Sequence, residues 1–371
     1  MRYLSVFLNW FLPNFFAFLW DTIYAPISYL KFLIYKTQYK QRIILDEKFD
    51  ENNNIAIICG FNEHITISLK NLIEGLVKNS IKVFYISNKN IDKEFEEYLK
   101  SKCNIIMIRS NFGADIGAYK YGLDYLFKNK IKFENLYVIN DSLIYHSSIK
   151  YLFRYLNKKN NKIIGLFENY FMHYHIQSFF FKLSYDVALD LRKNFFLNYK
   201  CFNHRKHTIN NGEVGISTYL KKHYGKDIRV IYDINYLRKN FSRINKDPIR
   251  KNEFYQYLFL LAHVVLRTEG ILKIDKDNPE FNIASFLENL ENCSNVHYGI
   301  APLAHKIRMF KKDMALRAKF PMSYVLKIFQ TKWKIDKDFN DEIYVTIREK
   351  ANASSFSNNP FKYFLFKIGR I

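Results

Sequence analysis

From residue 55 onward, short apolar runs alternate with stretches whose apolar positions recur every three or four residues, the pattern of strands alternating with helices. Residues 55–59 read as a buried strand ending at Gly60; Ile65, Leu69, Leu72, Ile73 and Leu76 then share one helical face; residues 83–86 form a second strand ending at Ser87-Asn88. A polar helix over 92–100 leads to an apolar run at 105–108. Ile116, Tyr119, Leu123 and Leu126 mark the next helix before a run at 136–139. Right-handed crossovers put such strands side by side, so the expected core is a mainly parallel, doubly wound α/β sheet. Further strands are expected at 163–167 and 229–232, and a helix from Val214 past Tyr219 with Glu213 in its first turn.

Two of these strand ends carry acids. The run at 105–108 gives way to Asn111-Phe112-Gly113-Ala114-Asp115-Ile116-Gly117, and the run at 136–139 ends in Asn140-Asp141-Ser142. Ligands of open α/β sheets collect at the carboxyl ends of strands, where helix N-termini and loop side chains converge, so both acids are expected in one site. Asp141 suits a divalent ion bridging a nucleotide diphosphate, because Mg²⁺ or Mn²⁺ needs one or two carboxylates and completes its shell with phosphate and water. Asn-Asp-Ser is equally an ordinary turn or cap, and an Asp between glycines an ordinary turn. The chain lacks G-x-G-x-x-G, a Walker lysine motif, G-x-S-x-G and H-E-x-x-H, which removes the dinucleotide, P-loop, serine hydrolase and zincin readings.

Residues 3–20 carry no charge, and the apolar character continues to Tyr35, broken by Asp21, Pro26 and Lys31. As a helix, residues 3–20 would cover about 27 Å against a hydrocarbon core of about 30 Å, with Asn9, Pro13 and Asn14 in mid-span. An anchor lying on the membrane fits better, with Trp10, Trp20, Tyr24 and Tyr29 at headgroup level and Lys31, Lys36, Lys40 and Arg42 as a basic flank. A buried helical hairpin and a signal peptide are the competing readings. Residues 46–54 read as a linker. Near the other end, residues 305–334 hold nine Lys or Arg against one acid, interleaved with aromatics, and read as an interfacial or partner-binding helical region. The expected division is an anchor at 1–45, a core domain at 46–235 and a basic, mainly helical region at 236–371.

The net charge of +22, with 18% aromatic residues, fits an anionic membrane surface or nucleic acid. No nucleic-acid motif accompanies it, and the basic aromatic residues flank apolar segments, so the membrane is the expected partner. Cys59, Cys103, Cys201 and Cys293 are scattered without metal-ligand spacing, which argues against a zinc site or a disulfide framework.

Five segments occur in an order that resembles one family. They are Asn111 to Gly117 as written above, residues 137–142, residues 165–168, His175-Ile176-Gln177-Ser178-Phe179, and Glu213-Val214-Gly215-Ile216-Ser217, with Gly270-Ile271-Leu272-Lys273 as a later echo. Across roughly residues 55–232 they resemble the rhamnan synthesis protein F family of bacterial glycosyltransferases, with Asn-Asp-Ser where many glycosyltransferases have Asp-x-Asp. The resemblance implies a type-A glycosyltransferase-like (Rossmann-like) sheet flanked by helices, with membrane-associating terminal regions. It implies a nucleotide-sugar donor such as dTDP-rhamnose or UDP-galactofuranose and a cell-envelope glycan or lipid-linked glycan acceptor. The enzyme is then expected at the cytoplasmic face of the inner membrane, as a peripheral protein. On this reading Asn111, Gly113, Asp115, Gly117, Asn140, Asp141, Ser142, His175 and Gln177 contact the donor, and Asp141 holds Mg²⁺ or Mn²⁺. Inverting transfer needs a base for the acceptor hydroxyl; Glu213 is first choice and Glu168 the reserve. Two bland roles compete: a Glu in a first helical turn favours the helix dipole, and a histidine beside aromatics is often a core residue. The alternative to an enzyme is a catalytically silent scaffold subunit of a polysaccharide assembly complex.

Overall fold

The computed structural model describes residues 12–35, 40–47, 53–146, 149–170, 173–235, 309–312, 337–339 and 341–343. The apolar runs become β2 (Asn53–Gly60), β3 (Ile81–Ser87), β4 (Ile105–Arg109) and β5 (Phe133–Asn140), paired in parallel in the order β4-β3-β2-β5. Alternation along β2 sends Ala56 and Ile58 to one face, and Ile55, Ile57 and Cys59 to the other. The first face is covered by α2 (Ile67–Val77), α3 (Lys93–Lys102) and α5 (Lys150–Asn157), the second by α4 (Ala114–Lys128) and α6 (Tyr185–Asp190). The sheet is therefore doubly wound, as its pattern predicts. α3 is polar along most of its length and docks through Phe95 and Leu99, each burial being worth about 1.5–3 kcal/mol. Its start is set by Asp92, whose carboxylate accepts the Phe95 N–H at 2.8 Å.

Beyond β5 the sheet departs from the expected parallel order. After the short β6 (Leu143–Tyr145) and α5 come β7 (Ile163–Asn169), β8 (His175–Ile176) and β9 (Phe180–Ser184). β9 inserts antiparallel between β5 and β7, and β10 (Ile228–Tyr232) closes that edge parallel to β7. The result is a mixed sheet with helices on both faces. Lys182 disguises β9 in the sequence: it is 1% exposed, its ammonium donating to Lys159 O at 2.8 Å and Leu156 O at 3.3 Å at the end of α5. Those carbonyls carry the negative end of the helix dipole, so the buried cation is satisfied where none was expected.

The division of the chain also shifts. β1 (Gln41–Asp46), read as the end of the anchor, is the outer strand of the sheet, antiparallel to β4. The basic tail, read as mainly helical, sends β11 (Met309–Lys311) to pair with β6, with Met309 fully buried. Glu342 caps α2 by accepting the Ile67 N–H at 2.5 Å and the Ser68 N–H at 3.3 Å. The boundary at 235 therefore does not separate the tail from the core domain. The expected features at residues 270–273 and most of 305–334 fall outside the described residues.

The amino-terminal helix α1 (Leu12–Tyr35) rests on the second face with one side only. Ser28 Oγ donates to Asn203 O at 2.8 Å, and the rings of Tyr24, Tyr29 and Phe32 meet His204, Phe202 and Phe112 at 5.6–6.0 Å. The other side exposes Phe15, Phe18, Leu19, Ile23, Ile27, Leu30, Leu33 and Ile34. Among the described residues no helix is long and apolar enough to cross a membrane.

Candidate active site

The loop after β4 is wrapped around Arg109, the strand's last residue. Only 2% exposed, its guanidinium donates to Asn88 Oδ1, to Phe112 O at 2.5 Å and to Ala114 O at 3.2 Å, and lies 5.0 Å from the Tyr121 ring centre. That wrapping explains the glycines. Gly113 takes φ +73° against Cys201, and a Cβ on Gly117 would stand 2.0 Å from Phe112 O. Ala114 shares the left-handed region at φ +49°, a cost of about 1 kcal/mol that turns its carbonyl toward Arg109. Asn203 clamps the same loop, accepting the Gly113 N–H at 2.9 Å and donating to Asn111 O.

Thus the loop carries Asp115 into the first turn of α4, where it meets the end of β5. Asn140 Nδ2 donates to Asp115 Oδ2 at 2.7 Å, while Asn140 Oδ1 accepts the Ser142 N–H and hydroxyl at 3.1 and 2.6 Å. Asp141 bridges to β2: its N–H donates to Cys59 O, and its Oδ2 accepts the Phe61 N–H, both at 3.0 Å. The Cys59 thiol is pushed up by burial and then by the charges of Asp115 and Asp141, which flank it. The two acids therefore occupy one strand-end edge, as expected. Near Asp141 the hydroxyls of Tyr85 and Tyr145, 0% and 1% exposed, have no hydrogen-bond partner among the described residues. Buried hydroxyls of this kind are what a bound polar ligand would satisfy.

Glu213 reaches the same place from a different direction. It lies inside a π-helical stretch, Thr208–Val214, between α7 (Arg205–His207) and α8 (Gly215–Tyr224), so it is not in a first helical turn. The helix is capped upstream by His204, whose Nδ1 accepts the His207 N–H at 3.2 Å, so the dipole reading of Glu213 falls. Gly212 serves packing, since a Cβ there would stand 2.9 Å from Ile116 Cγ1. Such π-helical insertions often mark functional sites because they re-aim a side chain. Burial first, and the charge of Asp115 second, push the Glu213 carboxyl up to about 7; Lys311, a Ser178 hydrogen bond and Arg205 act in the opposite sense. Asp115 is also raised, by burial, against the pull of its Asn140 hydrogen bond. Glu213 lines an open cleft of about 440 Å³ with Asn111, Ala114, Asn203, His204 and Arg205. Asn111 Oδ1, buried in this wall, has no partner among the described residues.

No family model matches the chain. It is 27% identical over 188 residues to Uncharacterized protein y4gN of Sinorhizobium fredii, a match that spans 48% of each chain, about half the length of that relative. It is 26% identical over 244 residues to Virulence protein VirA of Vibrio anguillarum, covering 60% of this chain and 75% of that one. Among solved structures, a chain named as a glucose-1-phosphate thymidylyltransferase of Bacillus anthracis, in complex with sucrose, is 10% identical. It superposes with a TM-score of 0.34 over 48% of this chain and 85% of its own. A mannosyltransferase of Pyrobaculum calidifontis in complex with GDP-Man and Mn²⁺ is 10% identical and superposes with a TM-score of 0.32 over 94% and 97%. Both superpositions lie below the level that marks a shared fold.

The remaining residues expected to touch substrate are committed to each other. Glu168, 6% exposed, accepts the Ile234 N–H at 3.0 Å and faces the Tyr170 hydroxyl at 3.4 Å, so it braces the end of β10 rather than waiting for a hydroxyl. His175 Nδ1 donates to His173 O at 2.8 Å, which leaves Nε2 to accept from Gln177 Nε2, also at 2.8 Å. The ring and the amide are both buried, and burial holds the imidazole below its ordinary range, so His175 and Gln177 form a neutral pair behind the site. Arg109, Asn203, Arg205 and Lys311 were not expected here. The signal for Arg109 was present: a basic residue closing an otherwise apolar strand. Among the described residues no cluster of three His, Cys, Asp or Glu surrounds a metal position. A Mg²⁺ or Mn²⁺ held mainly by diphosphate and water needs only Asp141, whose position at the strand end fits that role.

Proposed function

We propose that this chain is an inverting glycosyltransferase of the type-A glycosyltransferase-like kind, allied to the rhamnan synthesis protein F family, using a nucleotide-sugar donor with a deoxyhexose or galactofuranose-like sugar. The observation that carries the reading is Glu213: a carboxyl raised to about 7, aimed by a π-helical stretch into a polar cleft beside the edge that holds Asp115 and Asp141. A base that is half ionised near neutral pH is suited to take a proton from an acceptor hydroxyl as it attacks the sugar. Asp141 and the Asn140-Asp141-Ser142 turn then face the donor diphosphate. Mg²⁺ or Mn²⁺, when bound there, supplies charge to stabilise the leaving diphosphate. The test is release of nucleoside diphosphate from a panel of nucleotide sugars by the full chain, with and without EDTA. Release from one donor with an acceptor glycan is expected; no release, and no donor that raises Tm, would favour the silent scaffold.

The acceptor, in this proposal, is lipid-linked, and the enzyme works on an anionic membrane surface. Two observations support it: the apolar side of α1 is turned outward next to the exposed Lys31, and the docked side touches Asn203 and His204, which also line the cleft. The cleft would open beside the bilayer. Co-flotation with phosphatidylglycerol vesicles is expected for the full chain. The pair Ile23→Glu and Ile27→Glu should reduce it about tenfold or more, since burying two carboxylates in the interface costs on the order of 2 kcal/mol. Equal flotation of both proteins would remove α1 as the membrane face.

A further inference from the structure

β11 comes from the tail, far along the chain from the five segments at 111–217 that resemble a glycosyltransferase family, yet it closes directly on the Asn140-Asp141-Ser142 turn. Lys311 pairs in register with Leu143, and the Lys312 N–H donates to Ser142 O at 2.9 Å. The Lys311 side chain, 9% exposed, lies with its ammonium 4.3 Å from the Phe179 ring centre. Phe179 is the corner that joins the two halves of the site. Its carbonyl accepts the Asn140 N–H at 3.1 Å, and the preceding residue, Ser178, hydrogen-bonds Glu213.

We propose that β11 is part of the reaction site, and that Lys311 is a positioning residue whose ammonium, seated over Phe179, balances the Asp115–Glu213 carboxylate pair. Each carboxylate raises the cost of ionising the other, and burial favours their neutral forms; a cation placed by the fold reverses part of both effects. Lys311 acts in that sense on both acids, lowering each. The groups facing Glu213 are Asp115 from α4, Lys311 from β11, Ser178 from the turn before β9 and Arg205 from its own helical run; the Tyr119 and Tyr199 hydroxyls also sense its charge. The ammonium also adds to burial, the larger effect, in opposing protonation of His175. Tail and site are thereby coupled, since without docking of Met309–Lys311 the pair would lack this charge.

The inference uses the glycosyltransferase reading only for its turnover arm. Carbodiimides react with protonated carboxyl groups, so the pH at which Glu213 stops being labelled, read by mass spectrometry on the full chain, reports its ionisation without any substrate. Lys311→Met is expected to move that midpoint up by about one pH unit or more, and Lys311→Arg to restore it. In transfer assays the same substitution should shift the acid side of the pH–rate profile upward, so that activity lost near neutrality returns at higher pH. Lys311→Gln serves as a second neutral variant, with Tm measured on each, should the methionine variant fail to fold. An unmoved labelling midpoint in a folded neutral variant would overturn the proposal. A moved midpoint with no donor turned over by any protein would uphold Lys311 and sink the enzyme reading instead.

Discussion

Glu213→Gln is expected to lower sugar transfer by ~10²-fold or more while leaving donor affinity intact, because the amide keeps the shape of the side chain but has no basic oxygen for the acceptor proton. In the wild type the rate should rise as pH passes through about 7, where Glu213 ionises, and the variant should lose that dependence. Stability gives a second, substrate-free reading. The folded-state value lies above that of an unfolded glutamate, so the folded protein binds more protons between the two, and its stability falls as pH climbs through that window. The glutamine variant is exempt from this loss, and its Tm relative to wild type should improve from pH 4.5 to pH 8. Pre-steady-state transfer with a saturating donor, together with melting curves across that range, checks both. Wild-type turnover in Glu213→Gln would remove it as the base; Glu168, tied to the Ile234 N–H, is poorly placed to replace it.

Asp141→Asn is expected to weaken donor binding and turnover together, by about 10²-fold in kcat/KM, because the carboxylate that would hold a divalent cation against the diphosphate is lost both before and during reaction. The substitution is nearly silent structurally. The remaining side-chain oxygen can still accept the Phe61 N–H, and the backbone bond to Cys59 O is untouched, so the turn between β2 and β5 stays closed. Donor titration by calorimetry in Mn²⁺ and in EDTA separates the possibilities. If the wild type loses affinity in EDTA and the variant does not respond to metal, Asp141 holds the ion; unaltered affinity in the variant would leave Asn140-Asp141-Ser142 as a structural turn.

Much of this was legible in one dimension because parallel strands buried on both faces leave continuous apolar runs, and amphipathic crossover helices leave a three-to-four spacing. The four central strands, their order of appearance, and the edge shared by Asp115 and Asp141 followed from that local signal and the handedness of crossovers. The need for glycine at 113 and 117 did not, because its reason, a backbone wrapped around the Arg109 guanidinium, is a tertiary one. Burial of a lysine in β9 was not legible, since the carbonyls that satisfy Lys182 belong to a helix end about twenty-five residues earlier.

Local pattern therefore determined the four central parallel strands, the helices between them and which of those strand ends carry acids, because hydrophobic periodicity acts within a few residues. What depended on segments distant in sequence was decided only by the folded chain. The charge state of Glu213 depends first on its burial and then on Asp115, Lys311 and Ser178, groups brought together from α4, the tail and the turn before β9. His175 and Gln177 had the polarity of ligand contacts, but each satisfies the other. Glu168 sits at a strand end as expected, yet the chain's own backbone occupies it. Hydrogen bonding and electrostatics act between neighbours in space, and a sequence orders residues only by neighbours along the chain.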